Sequence, residues 1–230
     1  MYTDAHLHSM FSGDSETPPE MQIEKAISLG MKRICFTDHH DPLVDSVEDF
    51  ELDYDAYFPK MQELKEKYAN IIDIGIGVEL GLQPHITDVL QDIEGKYPFD
   101  FIIGSIHFVD GYDPYYPEYF GLYGERGYMR YYETTLECVQ KAPCFDSMGH
   151  LDYIARYGGM FGQEYSYKKY ADIIDSILRL LIGSGKALEC NTGGMSRGLP
   201  EPNPCYDVLR RYRELGGELI TIGSDAHDPS

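Results

Sequence analysis

No stretch of this sequence stays apolar for 18 residues, so it offers no candidate membrane span. Basic residues are scarce: 19 Lys and Arg stand against 39 Asp and Glu, a net charge of −20. A surface for long nucleic acids or anionic membranes needs a basic patch, so neither is expected as a partner. Cysteine is sparse as well. Cys35, Cys138, Cys144, Cys190 and Cys205 form an odd set with no C-x-x-C pair. That argues against a disulfide framework or a thiolate zinc knuckle and for reduced thiols in a cytosolic protein. No G-x-G-x-x-G or G-K-[ST] loop follows the first strand-like run, which weighs against a dinucleotide or P-loop fold. The G-x-S-x-G elbow of serine hydrolases is missing too.

What is present is a regular alternation. Strand-like runs at Tyr2–His8, Arg33–Thr37, Ile71–Leu80, Phe99–Ile106, Phe145–Leu151, Ala187–Asn191 and Glu218–Gly223 are separated by helix-like segments. The latter are Pro18–Leu29, Tyr54–Tyr68, His85–Glu94, Gly127–Lys141, Tyr167–Ile182 and Pro204–Leu215. In Tyr167–Ile182 the residues Ile173, Ile174, Ile177, Leu178 and Leu181 share one face. A first strand starting at Tyr2 leaves no room for a signal peptide. Seven strands and six intervening helices predict a parallel α/β fold. Residues 1–230 read as a single domain, with enough apolar residues (43 %) for a core.

Metal-type residues recur along the same alternation. His6, His8, His39, Glu79, His107, His150, Glu189, Asp225 and His227 end the successive strands, at intervals of 28 to 43 residues between one strand end and the next. One strand–helix unit has about this length. A ligand at each strand end is what a β/α barrel needs to assemble one centre at its mouth, so a closed or nearly closed barrel is favoured over an open sheet. His6 and His8, two apart on a strand, point to the same side. Asp225 and His227 repeat that geometry. In Thr37-Asp38-His39-His40-Asp41, His39 is the ligand candidate, His40 a bystander, and Asp38 a candidate to orient an imidazole.

Six histidines with Asp14, Glu79 and Asp225 make nine candidate ligands. One catalytic zinc uses about three protein ligands and a water, so two or three metal ions are implied. Nitrogen and oxygen ligands without thiolate suit zinc, manganese or iron. Such a centre activates a water for in-line displacement, and hydrolysis of a phosphate ester is the natural reaction. The acidic chain is compatible with a small phosphorylated substrate, because bound cations invert the local charge. Arg156 and Arg197 stand six residues beyond His150 and Asn191, as candidates for a bidentate grip on phosphate. Tyr112–Tyr132 carries eight tyrosines and Phe120. It reads as a lid over the site, as a wall for an aromatic substrate ring, or as a loop packed by its own rings.

The motifs Asp4-Ala5-His6-Leu7-His8-Ser9, Thr37-Asp38-His39, Gly104-Ser105-Ile106-His107, Gly149-His150-Leu151-Asp152 and Gly223-Ser224-Asp225-Ala226-His227 resemble the PHP (polymerase and histidinol phosphatase) superfamily. Phe11-Ser12-Gly13-Asp14-Ser15-Glu16, and Glu189-Cys190-Asn191-Thr192 with Arg197 behind it, resemble its histidinol-phosphatase branch. The resemblance implies a distorted seven-stranded (β/α)7 barrel. It implies one metal on His6, His8, Glu79 and Asp225, a second on Glu79, His107 and His150, and a third on Asp14, His39 and His227, with Glu79 bridging. The implied reaction is hydrolysis of L-histidinol phosphate to L-histidinol and phosphate by metal-activated hydroxide. Arg156 and Arg197 would hold the phosphoryl oxygens, and Asp225 or His227 would protonate the leaving oxygen. The competing readings are another phosphoesterase of this superfamily acting on a nucleotide or phosphotyrosine, an amidohydrolase-type hydrolase, and a non-catalytic metal-binding module.

Overall fold

A computed structural model of the chain describes residues 2–44, 50–142, 144–159, 164–196 and 198–230. Seven parallel strands form its sheet: β1 (Thr3–Leu7), β2 (Arg33–Phe36), β4 (Asp73–Gly81), β5 (Phe101–Ser105), β6 (Ser147–Met148), β7 (Ala187–Asn191) and β8 (Ile220–Gly223). A further two-residue strand, β3 (His39–His40), pairs with β4 off this path. The sequence reading did not separate it. The β2 strand breaks at Thr37-Asp38, and pairing with β4 resumes with His39 opposite Glu79.

The sheet closes on itself. Leu7 of β1 bridges Ala226 just past β8, and Asp225 N–H donates to the His6 carbonyl (2.9 Å). Buried Asp4 clasps the same seam, accepting from the backbone N–H groups of His6 and Ser224. The result is a nearly closed barrel.

Helices cover the outside. They are α1 (Pro19–Ser28), α2 (Tyr54–Tyr68), α3 (Thr87–Lys96), α4 (Pro117–Tyr123), α5 (Gly127–Lys141), α6 (Ala155–Gly158), α7 (Ala171–Gly183), α8 (Gly193–Ser196) and α9 (Tyr206–Glu214). Asp53 caps α2 by accepting from Asp55 and Ala56 N–H. Tyr57, Met61 and Leu64 of this helix are fully buried, and the Tyr57 hydroxyl donates to the Gly77 carbonyl. In α7, four of the five residues assigned to one face are fully buried; Ile173 is partly covered. The central strand β4 is buried along all but its first residue, as a parallel strand covered on both faces must be. Among the described residues no helix is long and apolar enough to cross a membrane.

Short α4, α6 and α8 fall outside the helix-like segments of the sequence, because each is too brief to show a helical period. The segment read as starting a helix at Tyr167 opens with a 3-10 turn, Tyr167–Tyr170. The strand expected over Phe145–Leu151 keeps ladder geometry only at Ser147–Met148.

Candidate metal centre

All nine candidate ligands meet at the C-terminal mouth of the barrel, around Glu79. Its carboxylate is fully buried. Oε1 accepts from the Ser105 hydroxyl (2.6 Å) and faces Nε2 of His150 (2.8 Å) and His107 (3.3 Å). Oε2 faces His6 Nε2 (3.1 Å), His39 Nδ1 (3.1 Å) and His8 Nε2 (3.5 Å). His6 Nε2 and His8 Nε2 are 3.0 Å apart, with Asp225 Oδ1 at 3.7 and 3.4 Å. At the rim, Asp14 Oδ2 faces His227 Nε2 (3.1 Å) and His39 Nε2 (3.6 Å). The first two sets are gathered at ligand spacing; at the rim it is His8, His39 and His227 that gather, with Asp14 facing His227 and His39. His40 stays apart as a bystander: its Nδ1 accepts from Leu52 N–H.

The donor set fits divalent cations. Glu79 Oε2, His39 Nδ1, His150 Nδ1 and His227 Nε2 are buried without a hydrogen-bond partner. An unpaired buried polar atom costs about 1–3 kcal/mol. Glu79 Oε2 and His39 Nδ1 lie close together yet lack hydrogen-bond geometry, as two atoms converging on a third would.

Electrostatics agree. Burial would raise the Glu79 carboxyl, but His6, His107 and His39 outweigh it and hold it well below the usual range. Burial would lower His6, but Glu189, Glu79 and Asp225 hold it well above its ordinary value. In His107 burial is likewise overcome by Asp41 and Glu79, which lift it to about 10. This field retains positive charge, and metal binding can satisfy it while displacing protons from the ligands.

A second layer of carboxylates aims these rings. Glu189 Oε1 takes His6 Nδ1 (2.6 Å), while its Oε2 accepts the His150 N–H (2.7 Å). Asp41 straddles His107 Nδ1, with both oxygens at 3.0 Å. His227 Nδ1 donates to the Asp225 carbonyl (3.0 Å). The ring contacts of His6, His107 and His227 turn Nε2 toward the centre, the arrangement that orients metal-bound histidine, whereas Glu189 holds His150 through its backbone. The Asp41 role escaped the sequence reading. Its only sequence signals are its place two residues after His39 and the glycine opposite, since a Cβ on Gly81 would overlap the Asp41 carboxylate. His39, Asp41 and His107 also gather closely enough to suggest a separate cation site. We read Asp41 as a support, because His107 Nδ1 is taken up by it while Nε2 faces Glu79. Asp38, expected to orient an imidazole, contacts none directly; it accepts from Ser9 and Ser12.

Beside the ligands lies a cavity of about 280 Å³. Arg156 is on its wall, but nearly buried and already fastened. Its Nη2 donates to Asp225 Oδ2 (3.0 Å) and Asn191 Oδ1 (2.9 Å), and its Nε to Asn203 Oδ1 (3.0 Å). Asp225 takes a left-handed φ of 57°, a costly conformation for a non-glycine residue, and Arg156 helps to hold it there. Burial would raise the Asp225 carboxyl, but Arg156 and His6 keep it well below its ordinary range. Arg197 lies outside the described residues.

The tyrosine-rich segment divides between the packed loop and the wall. Tyr119, Phe120, Tyr128, Tyr131 and Tyr132 are buried in the core, whereas Tyr115 and Tyr116 join Tyr153 and Tyr157 on the cavity wall.

Residues 4–193 match the family model described as PHP domain. A histidinol-phosphatase from Lactococcus lactis is 35 % identical over 227 residues, covering 97 % of this chain and 83 % of the relative. The crystal structure of histidinol phosphate phosphatase from the same species, complexed with zinc, L-histidinol and phosphate, aligns with a TM-score of 0.90 at 33 % identity. That alignment covers 99 % of this chain and 87 % of the other. A solved structure from Listeria monocytogenes, 24 % identical with a TM-score of 0.85, covers 98 % of this chain and 95 % of its own and supports the fold alone. With strand-end ligands and a matching family model over most of its length, the chain belongs to the PHP domain family.

Proposed function

We propose that this protein is a metal-dependent phosphomonoesterase that hydrolyses L-histidinol phosphate to L-histidinol and phosphate. The observation that carries the reading is the near-complete structural match, at 33 % identity, to the Lactococcus lactis enzyme complexed with zinc, L-histidinol and phosphate. The ligand-spaced donors around Glu79 supply the chemistry such a reaction needs. Two or three divalent ions would be held by His6, His8, Asp14, His39, Glu79, His107, His150, Asp225 and His227. Zinc is favoured by the relative, and manganese or iron also suit the donors. When bound, the ions supply Lewis acidity and neutralise charge on the phosphoryl oxygens.

The chain's own groups do the rest. Glu79 and the imidazoles would hold the ions beside the cavity. Arg156 fixes Asp225 and adds positive charge where the phosphoryl group enters; Arg197 is retained as a second phosphate contact on the sequence pattern. Both oxygens of Asp225 are engaged, Oδ2 with Arg156 and Oδ1 facing His6 and His8. Of the two candidates to protonate the departing alkoxide this leaves His227, on the cavity wall, in the form with two ions, where its Nε2 is not taken up as a ligand. Tyr115, Tyr153 and Tyr157 offer ring faces to the organic half of the substrate. A cytosolic location accords with five cysteines that are all free thiols.

Phosphate release should be measured from histidinol phosphate, nucleoside monophosphates and a phosphotyrosine peptide, with metal content determined on the same sample. We expect kcat/KM for histidinol phosphate to exceed the others by roughly 100-fold or more, since a site that hydrogen-bonds its substrate's polar groups rejects analogues lacking them. Equal turnover of all three esters by metal-loaded protein would sink the assignment.

A further inference from the structure

His8 is the ring whose support is indirect. Its Nε2 lies among the ligand atoms of His6, Glu79 and Asp225, and its ring stacks on His39 (4.3 Å) and His227 (4.0 Å). Its Nδ1 meets no carboxylate. It sits 3.0 Å from the hydroxyl of Ser12. The same oxygen accepts the backbone N–H of His39 (3.0 Å) and lies 2.9 Å from Asp38 Oδ1. Ser12 is 3 % exposed, and Asp38 and His8 are fully buried, so water does not replace any of these partners.

A hydroxyl has one proton and two lone pairs. Asp38 also accepts from the Ser9 N–H (2.6 Å) and the Ser9 hydroxyl (3.0 Å), and as a carboxylate it can only accept. The Ser12 proton therefore points at Asp38. Both lone pairs then face donors, one being the His39 N–H. The other partner, His8 Nδ1, must carry a proton. A neutral imidazole protonated at Nδ1 has its lone pair on Nε2, the atom that faces the centre. The backbone carbonyl of Asp38 meanwhile accepts the Glu79 N–H (3.1 Å), so one residue ties together the chain segments bearing His8, His39 and Glu79.

We propose that Ser12 is a positioning residue for the metal centre: its hydroxyl, aimed by Asp38, fixes the His8 tautomer and holds the His39 backbone in register. The proposal rests on the ion-binding reading of the site and is independent of the substrate. Removing the oxygen frees His8 to take the other tautomer, which cannot ligate through Nε2.

The test compares Ser12→Ala, Ser12→Cys and Ser12→Thr with the unmodified protein. Zinc is titrated against a chromophoric chelator, and the ¹⁵N shifts of the histidine rings are read before zinc is added. Thermal unfolding confirms that each variant is folded. Ser12→Ala should bind its weakest-held zinc roughly 10–100-fold less tightly, the usual cost of losing a partner behind a ligand, and its His8 signal should leave the Nδ1–H form. Ser12→Cys, similar in size with a poor acceptor, should behave alike and serves if the alanine variant does not fold. Ser12→Thr keeps the hydroxyl and should stay within about threefold of the original affinity. Unchanged zinc affinity in Ser12→Ala and Ser12→Cys, an unchanged His8 tautomer, or an equal loss in Ser12→Thr would each overturn the proposal. Neither readout uses substrate, so a failure here is distinct from a failure of the histidinol-phosphatase assignment.

Discussion

The inner and outer candidate ligands at the barrel mouth are held in different ways. His6, His8 and Glu79 sit at strand ends with side chains at 0 % exposure, and the ring of His6 is backed directly by Glu189. Asp14 lies in the segment between β1 and α1 with its side chain 36 % exposed, and His227 lies in the tail after β8 at 16 %. These two segments are joined by hydrogen bonds from Ser15 Oγ to the His227 carbonyl (2.7 Å) and from His8 N–H to the Ala226 carbonyl (3.0 Å). No carboxylate stands behind the Asp14–His227 pair among the described contacts. The inner half is thus preorganised by the barrel, and the outer half borders the cavity where substrate enters. Ligands locked by a second layer bind ions tightly, whereas ligands on exposed segments can rearrange as the phosphoryl group arrives.

The largest break in this comparison is expected from Glu79→Gln. Glu79 faces five imidazoles, and its replacement leaves them around a neutral amide. Activity should fall on the order of 10³-fold, as for loss of a principal electrostatic group in a water-excluded site. Metal analysis should show the loss of more than one ion per chain. Full metal content with near-normal kcat would mean that Glu79 does not bridge.

The parts of the centre visible in the sequence are those that strand periodicity exposes. His6 and His8 share a parity on β1, and each later candidate follows an apolar run, so the barrel and the gathering of these residues at its mouth were readable together. The supports were less visible because they come from pairs distant in sequence. Glu189 was noticed as one more strand-end acid, but its pairing with His6 spans 183 positions. Asp41 reaches His107 across 66 positions, through space that Gly81 leaves open. Arg156 was read as a phosphate contact from its place after His150; nothing in the sequence announces that it grips Asp225 through the closing seam of the barrel. The tyrosine-rich segment could not be resolved in advance, because burial of Tyr131 and exposure of Tyr115 (52 %) are decided by the turn that leads into α4 and α5.

A smaller effect, confined to one inner ring, should follow from Asp41→Asn. The amide keeps the size of Asp41 but removes the charge beside His107 Nδ1. Zinc affinity should fall by roughly 10–100-fold with the number of ions unchanged, because His107 remains but is held less firmly. Chelator competition measures the first quantity and metal analysis of saturated protein the second. This separates the two readings of Asp41. If it were itself a ligand, one ion per chain would disappear even at saturation.

The smallest effect belongs to the outer half. Asp14→Asn retains an oxygen toward His39 and His227 but removes the charge that favours a cation between them. The inner ions should persist, since none of their supports involves Asp14. One ion per chain should become exchangeable, visible as a weak phase in a zinc titration. Activity should fall about tenfold, the lower end of what loss of one supporting interaction costs, and should recover as zinc is raised. Recovery is the informative feature, because mass action refills a weakened site but cannot repair a misplaced ligand. If Asp14→Asn instead strips every ion, the rim and the floor form one cooperative unit, and the distinction between a locked inner half and an adjustable outer half fails.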